Sequence, residues 1–521
     1  MSLRTAFRRS SIKRFYHSRT LLVGLSACAV ARLAPLLLVL FFTFNCAAQE
    51  GPSLKVSVEV LSLSPARLKI EGWRAGRAQN WSFLNTYAGV NGLGARIENL
   101  RLADANGASV PVRQLAPGEY EAASAATQFS YEVKLDAPTN PADASHVSWL
   151  AKDFGFFALG DLLPRQDETS QPRAARVMVR FSLPAQWRLA ANETQSADGQ
   201  FVLTDTERAV FFAGPGLRER RERIGSTELT FVTAGDWAFS DEEAASMAAS
   251  VLKDYTDQLG GAPRSRVMLM LSPFPSQASA DRWSAETRGG TVMLLSGKSP
   301  SRTAALVQLS IPLMHELFHL WIPNGLALDG NYDWFYEGFT NYQAMRAGMR
   351  LNFLTFQDYL NALGRAFDAY LSEVDRDKYS LPDASQRRWT NANALVYHKG
   401  LLIAYLYDLQ LRSQTGGKRS LDDVYKDLFQ RYRATERRAD GNAAVIKALS
   451  AQEKMRDFVS HYIESASAVE LAQAVAPFGL RVEQHAGFRT HVSVADSLSR
   501  SQRDLLRKFG YNNAPQRAEH K

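Results

Sequence analysis

Cysteine is almost absent. The 521-residue chain has two, Cys28 and Cys46, and both lie within the first 48 residues. The remainder therefore has neither disulfide staples nor thiolate ligands, and any zinc site in it must be built from His, Glu or Asp. Acid is missing from residues 1–48, where Arg4, Arg8, Arg9, Lys13, Arg14, Arg19 and Arg32 stand unopposed. Removing these seven charges from the formal +8 leaves +1. The basic balance belongs to the leader, and nucleic acid is excluded as the partner that such a charge would otherwise suggest. High apolarity is lacking as well: the slightly negative mean hydropathy argues against a multi-span membrane protein.

What the leader does have is a basic start and two apolar runs, 21–31 and 33–44, separated by Arg32. The second run ends in Cys46-Ala47-Ala48, small residues suited to signal peptidase, which makes 1–48 an export leader. Cys46 as a lipid-carrying cysteine, Arg8-Arg9 as a twin-arginine signal, and 21–44 as a retained membrane anchor are the alternatives, and all of them export the chain. An exported domain without disulfides points to the periplasm or envelope of a Gram-negative bacterium.

The length allows two or three domains. Alternating runs at 54–61, 128–135 and 176–183, separated by turn signals such as Asn106-Gly107, predict an antiparallel β domain over 49–236, with a surface loop at 164–173. Near Ser240 the grammar changes. Ser240-Asp241-Glu242-Glu243 caps a helix that ends at Gly260-Gly261, apolar strands follow at 266–271 and 290–295, and helical patterns fill most of 301–464. A second, mainly helical domain is expected over 237–485 and a polar tail over 486–521, giving a multidomain α+β chain.

His315-Glu316-Leu317-Phe318-His319 stands in the second domain. Residues four apart share one face of a helix, so His315 and His319 can offer two imidazoles to one metal ion, with Glu316 beside that face to take a proton from water. Seventeen residues separate His319 from Glu337, enough for a loop and a returning helix that brings a third ligand. Three protein ligands with one position left open are the arrangement of a catalytic zinc site, one Zn2+ per chain.

Trp334-Phe335-Tyr336-Glu337-Gly338-Phe339-Thr340-Asn341-Tyr342 resembles the W-x-x-E-G-x-T/A-x-Y block of two related gluzincin metallopeptidase families, the aminopeptidase N-like (M1) and the glycyl aminopeptidase-like (M61). The second is the nearer, because Val396-Tyr397-His398-Lys399-Gly400 resembles its Y-x-K-G block, and Asp408, Arg412, Thr415-Gly416-Gly417-Lys418 and Ser420-Leu421-Asp422-Asp423 resemble the stretch that follows. The resemblance implies a thermolysin-like catalytic domain, a peptide or protein substrate, and Tyr397 as the donor to the tetrahedral oxyanion. It also implies that Gly289-Gly290-Thr291 opens the edge strand on which substrate backbone pairs. Three departures stand beside it. Val292 and Met293 occupy the place where the families carry a Glu for the substrate amine, which points away from strict aminopeptidase action and predicts that N-acetylated peptides are cut. Asn341 replaces an Asp as the partner of a zinc histidine, which predicts weaker zinc binding. The residues after Leu480 fall short of the PDZ domain with which many members end. A zinc hydrolase of another kind, or a pseudo-peptidase that only binds partners, are the competing readings.

Overall fold

The structure is a computed structural model and describes residues 52–165, 176–433, 438–485 and 489–511. The expected leader, most of the loop expected at 164–173, and residues 512–521 lie outside these.

Period-2 alternation builds the N-terminal part. Leu54–Leu63 turns Leu54, Val56 and Val58 inward and exposes Lys55 and Glu59. Ala66–Ser82 pairs antiparallel with it on one side and with Glu119–Lys134 on the other, within a nine-stranded sheet. One pairing departs from the antiparallel expectation: Leu54–Leu63 runs parallel to Val177–Ser182, which the long chain excursion between them permits. A four-stranded antiparallel sheet follows, ordered Arg188–Ala191, Val210–Gly214, Gly155–Ala158, Trp149–Leu150.

A five-stranded sheet, ordered Arg218–Ile224, Thr227–Thr233, Arg266–Pro273, Thr291–Ser296, Trp283–Arg288, carries the second domain. Val232, Met268, Met270, Met293 and Leu295 pack from one of its faces onto Trp149, Phe156 and Phe212 of the four-stranded sheet. From the other face Phe231, Leu269, Leu271, Val292 and Leu294 meet the helices. Burial on both sides is why Arg266–Pro273 is apolar at consecutive positions instead of alternating. This sheet begins at Arg218, so the domain boundary expected at 236 falls after two strands that already belong to it. A strand pattern says nothing about which sheet the strand joins, and only pairing reveals it.

Helix Asp241–Leu259 starts as expected. The Glu243 N–H donates to the Ser240 hydroxyl, and the Glu243 carboxylate accepts from the Ser240 N–H, a reciprocal cap worth about 1 kcal/mol. The tail expected from 486 is corrected over its described residues. Arg489–Val494 pairs antiparallel with Leu480–His485, helix Arg500–Arg507 follows, and Val492, Leu505, Leu506 and Phe509 enter the main core. The guanidinium groups of Arg346 and Arg412 lie 4.8 and 5.1 Å from the Phe509 ring centroid. Two leucines on an otherwise polar helix were too faint a stripe to read as a core contact. Among the described residues no helix is long and apolar enough to cross a membrane.

Candidate active site

Helix Arg302–Phe318 carries His315 and Glu316 in its last turn, and His319 caps it. Helical spacing stacks the two imidazoles edge to face, with centroids 4.6 Å apart at 87°. Their Nε2 atoms lie 3.0 Å from each other. Each ring is fixed from behind through Nδ1: His315 by Asn341 Oδ1 at 2.9 Å, His319 by the Ile322 carbonyl at 2.9 Å. The Asn341 contact expected from sequence is therefore present.

Glu337 arrives on a π-helical turn, Trp334–Phe339, that leads directly into helix Thr340–Arg350. A second π-helical turn, Leu395–Lys399, carries Tyr397 and leads into helix Gly400–Gln414. Widened turns of this kind displace a side chain from the helical register, and they concentrate at functional sites. The two segments cross at glycine. A Cβ on Gly338 would sit 2.5 Å from Gly400 Cα, and one on Gly400 would sit 2.9 Å from Gly338 Cα. The glycines of the two sequence blocks are thus the contact that sets Glu337 beside Tyr397.

The donor set fits zinc. With both Nδ1 atoms hydrogen-bonded to carbonyl oxygens, each ring in its neutral form presents a lone pair at Nε2. Glu337 Oε2 joins them at 3.1 Å from His315 and 3.5 Å from His319. Three buried acceptors at such distances repel unless a proton or a cation lies among them. Glu316 also offers an oxygen within 4.8 Å of both histidines. Glu337 stands closer, and Glu316 Oε2 already accepts from the Thr287 hydroxyl at 2.7 Å, so Glu337 is the better placed of the two acids to join the histidines. Burial works to lower the His319 pKa, but Glu337 overrides it and lifts the ring from 6.5 to about 9.

Arg388 is a site residue that the sequence did not reveal. Its Nη1 lies 3.1 Å from Glu337 Oε1 and donates to Asp333 Oδ1 at 2.8 Å, and its Nη2 donates to the Tyr397 hydroxyl at 2.6 Å. Burial tends to raise the Glu337 pKa; Arg388 first and His319 next outweigh it and hold the carboxylate well below its ordinary range. Burial, followed by the Glu337 charge, keeps the Tyr397 phenol protonated far above its ordinary value. Tyr336 also donates to Asp333. Thr287, which grips Glu316 at both its carboxylate and its carbonyl, is the second residue missed.

The expected placement of the substrate strand is corrected. Thr291–Ser296 is flanked on both sides, by Arg266–Pro273 and by Trp283–Arg288. Gly289-Gly290 is the hairpin turn, with Gly289 at φ +58°, and the edge strand is the preceding one, Trp283–Arg288. That strand carries an acid, Glu286, so the conclusion drawn from Val292 and Met293 no longer holds. Its carboxylate is already engaged: His146 Nδ1 at 2.8 Å, Arg288 Nε at 3.1 Å, and the Tyr87 hydroxyl. Burial would raise the Glu286 pKa, yet Arg288 and His146 hold it down at about 2. Tyr87 belongs to a small hairpin, Thr86–Tyr87 with Val90–Asn91, whose Gly89 lies against Trp389. The N-terminal domain therefore touches both the edge strand and the segment next to Arg388.

Comparisons with known proteins bear on the family and the fold. The model of the M61 glycyl aminopeptidase family matches residues 327–403, a span that includes Glu337 and Tyr397. Among solved structures, an aminopeptidase N family protein from Idiomarina loihiensis superposes with a TM-score of 0.72 at 17% identity, covering 83% of this chain and 79% of that one. An M1 zinc metallopeptidase from Deinococcus radiodurans gives 0.52 at 15% identity, covering 80% and 93%. A variant from that organism bound to a Tyr-Ser-Ala substrate gives 0.50 at 15% identity, covering 80% and 94%. No curated protein matches the chain.

Proposed function

We propose that this zinc metallopeptidase, M61-like over residues 327–403 and M1-like in fold, hydrolyses peptide bonds with Glu316 as general base and Tyr397 as oxyanion donor, using one zinc per chain. One observation carries the reading: His315, His319 and Glu337 converge through three acceptor atoms beside a gripped carboxylate and a protonated phenol. Zinc held by these three residues would supply Lewis acidity to the scissile carbonyl and to the attacking water.

The chain's own residues do the rest. Thr287 fixes one oxygen of Glu316, which leaves the other to take the proton of the attacking water and return it to the departing amine. The Tyr397 oxygen accepts from Arg388, which orients the phenol, and its proton is the one to donate to the developing oxyanion. Arg388 also neutralises the outer oxygen of Glu337 and holds the carboxylate's orientation. A peptide substrate accords with the Tyr-Ser-Ala bound by the fold relative. Export to the periplasm or envelope, with the leader cleaved or kept as an anchor, is supported by the sequence of residues 1–48.

A peptide library digested by the zinc-loaded protein tests the reading. Cleavage that stops on chelation and returns with zinc is expected. A library left intact by a protein shown to carry zinc contradicts it.

A further inference from the structure

Two rows of side chains leave the catalytic centre together. On the histidine helix, positions four apart share a face, and the steps back from His315 are Ile311 and Val307. On the edge strand, positions two apart share a face. The steps back from Thr287, which grips Glu316, are Ala285 and Trp283. Hydrogen bonds tie helix to strand at both ends of these rows. The Thr287 hydroxyl donates to the Glu316 carbonyl at 2.8 Å, and Gln308 Nε2 donates to the Arg282 carbonyl at 3.2 Å and to Ser296 Oγ at 3.0 Å. Ser296 is the residue that pairs with Trp283. Helix and strand therefore run side by side away from the histidines.

The far part of the two rows is apolar and open. Trp283 is 40% exposed, Val307 48% and Ile311 45%. Exposed apolar side chains scattered singly are ordinary. These, however, are three of the eight large ones exposed among the described residues, and they gather along one helix and the strand beside it. Packing of the helix does not call for them, because its core side is already filled by Ala305, Leu309 and Leu313.

We propose that Trp283, Val307 and Ile311 form a distal specificity shelf that receives one bulky apolar side chain of the substrate. This rests on the peptidase reading above. Continuity with the helix face that carries His315 makes the substrate the occupant. The shelf also acts as a ruler. At about 1.5 Å per helical residue, Ile311 and Val307 stand about 6 and 12 Å along the axis from His315. At about 3.3 Å per strand residue, Trp283 stands about 13 Å from Thr287. An extended peptide advances at the same rate as the strand, so the side chain received lies about two to four residues from the scissile bond. The rows lead one way only, so the preference falls on one side of that bond. A polar residue at that distance leaves the three side chains in water and forfeits their burial.

A positional scan tests this: one cleavable peptide sequence in which a single Phe or a single Ser is moved through five residues on each side of the scissile bond. For the zinc-loaded wild type, kcat/KM is expected to favour Phe over Ser by about tenfold at two to four residues on one side. Ile311→Gln, Val307→Gln and Trp283→Thr are each expected to shrink that ratio at least about threefold. All three positions are exposed, and Gln and Thr suit helix and strand, so the fold survives the changes. A ratio near one throughout that window, an equal preference on both sides, or a ratio unmoved in all three variants would overturn the shelf. Variants that alter the oligomeric state and leave the ratio alone would assign the face to a second copy of the chain and overturn it too. Binding of the same labelled peptides to Glu316→Gln, alone and combined with Ile311→Gln, reads the preference without turnover. If nothing is cut but Glu316→Gln still prefers Phe in that window and Ile311→Gln removes the preference, the peptidase reading fails and the shelf stands. Binding indifferent to Phe or Ser overturns the shelf whatever the activity.

Discussion

Arg388 holds two groups of the site at once, donating to the Tyr397 phenol oxygen and lying against the Glu337 carboxylate. Arg388→Gln should therefore weaken two things at once. Zinc affinity, measured by chelator competition, should fall by roughly 10- to 100-fold, and kcat at saturating zinc should fall as well. Tyr397→Phe should lower kcat by about 10²- to 10³-fold with zinc affinity retained; a loss of zinc in that variant would count against its assigned role. Proton and metal compete for His319. Its pKa is raised above 6.5 to about 9, so the proton contributes stability fully below pH 6.5, and that contribution disappears as pH rises through about 9. Thermal unfolding of zinc-depleted protein should show stability falling across this window. Zinc uptake at neutral pH should release a proton, visible as a buffer-dependent heat; an uptake heat independent of buffer would contradict it. The histidine and Glu337 positions were legible because helical spacing and motif distance are properties of the sequence. Arg388 and Thr287 were not, since a single Arg or Thr has no period to betray it and only the tertiary fold brings it to the site.

The glycines at the crossing of the two π-helical turns act on whole elements. Gly338→Ala places a methyl 2.5 Å from Gly400 Cα and from the Val396 carbonyl, backbone that cannot rotate away. A destabilisation of about 1–3 kcal/mol is expected, with Glu337 and Tyr397 forced apart, so a fall in melting temperature should accompany lower zinc affinity. An unchanged melting temperature and zinc affinity would refute the crossing's role. Both glycines stand in the recognised sequence blocks, but nothing in one dimension says that they touch. The edge strand shows the opposite failure. Gly289-Gly290 between two runs is a hairpin signal, yet Trp283–Arg288 carries a polar and charged sequence that does not look like a strand. It is a strand because its neighbour is one and because Ser284, Glu286 and Arg288 are satisfied by the N-terminal domain through Ser145, His146 and Tyr87. Reading the glycines as the start of the edge strand misplaces that edge by one strand and hides Glu286.

At the scale of the molecule, the five-stranded sheet is shared property: its inner face packs on the four-stranded sheet, its outer face on the catalytic helices. The change of grammar near Ser240 marked where helices begin, and the sheet they cover had begun earlier. The C-terminal segment is likewise integral. Ending the chain after His485 removes Val492, Leu505, Leu506 and Phe509 from the core. At about 1.5–3 kcal/mol for each large buried side chain, that loss is comparable with the whole stability of a domain. Such a truncation should fail to give a cooperative thermal transition, and a truncated protein as stable as the full chain would make the segment dispensable. The central claim, that this scaffold exists to place Glu316 against a water beside three zinc ligands, is tested most directly by kcat/KM of Glu316→Gln against the wild type on the best library peptide, at equal measured zinc content. A loss of about 10²- to 10⁴-fold is predicted; a variant that cleaves as fast as the wild type would contradict the account.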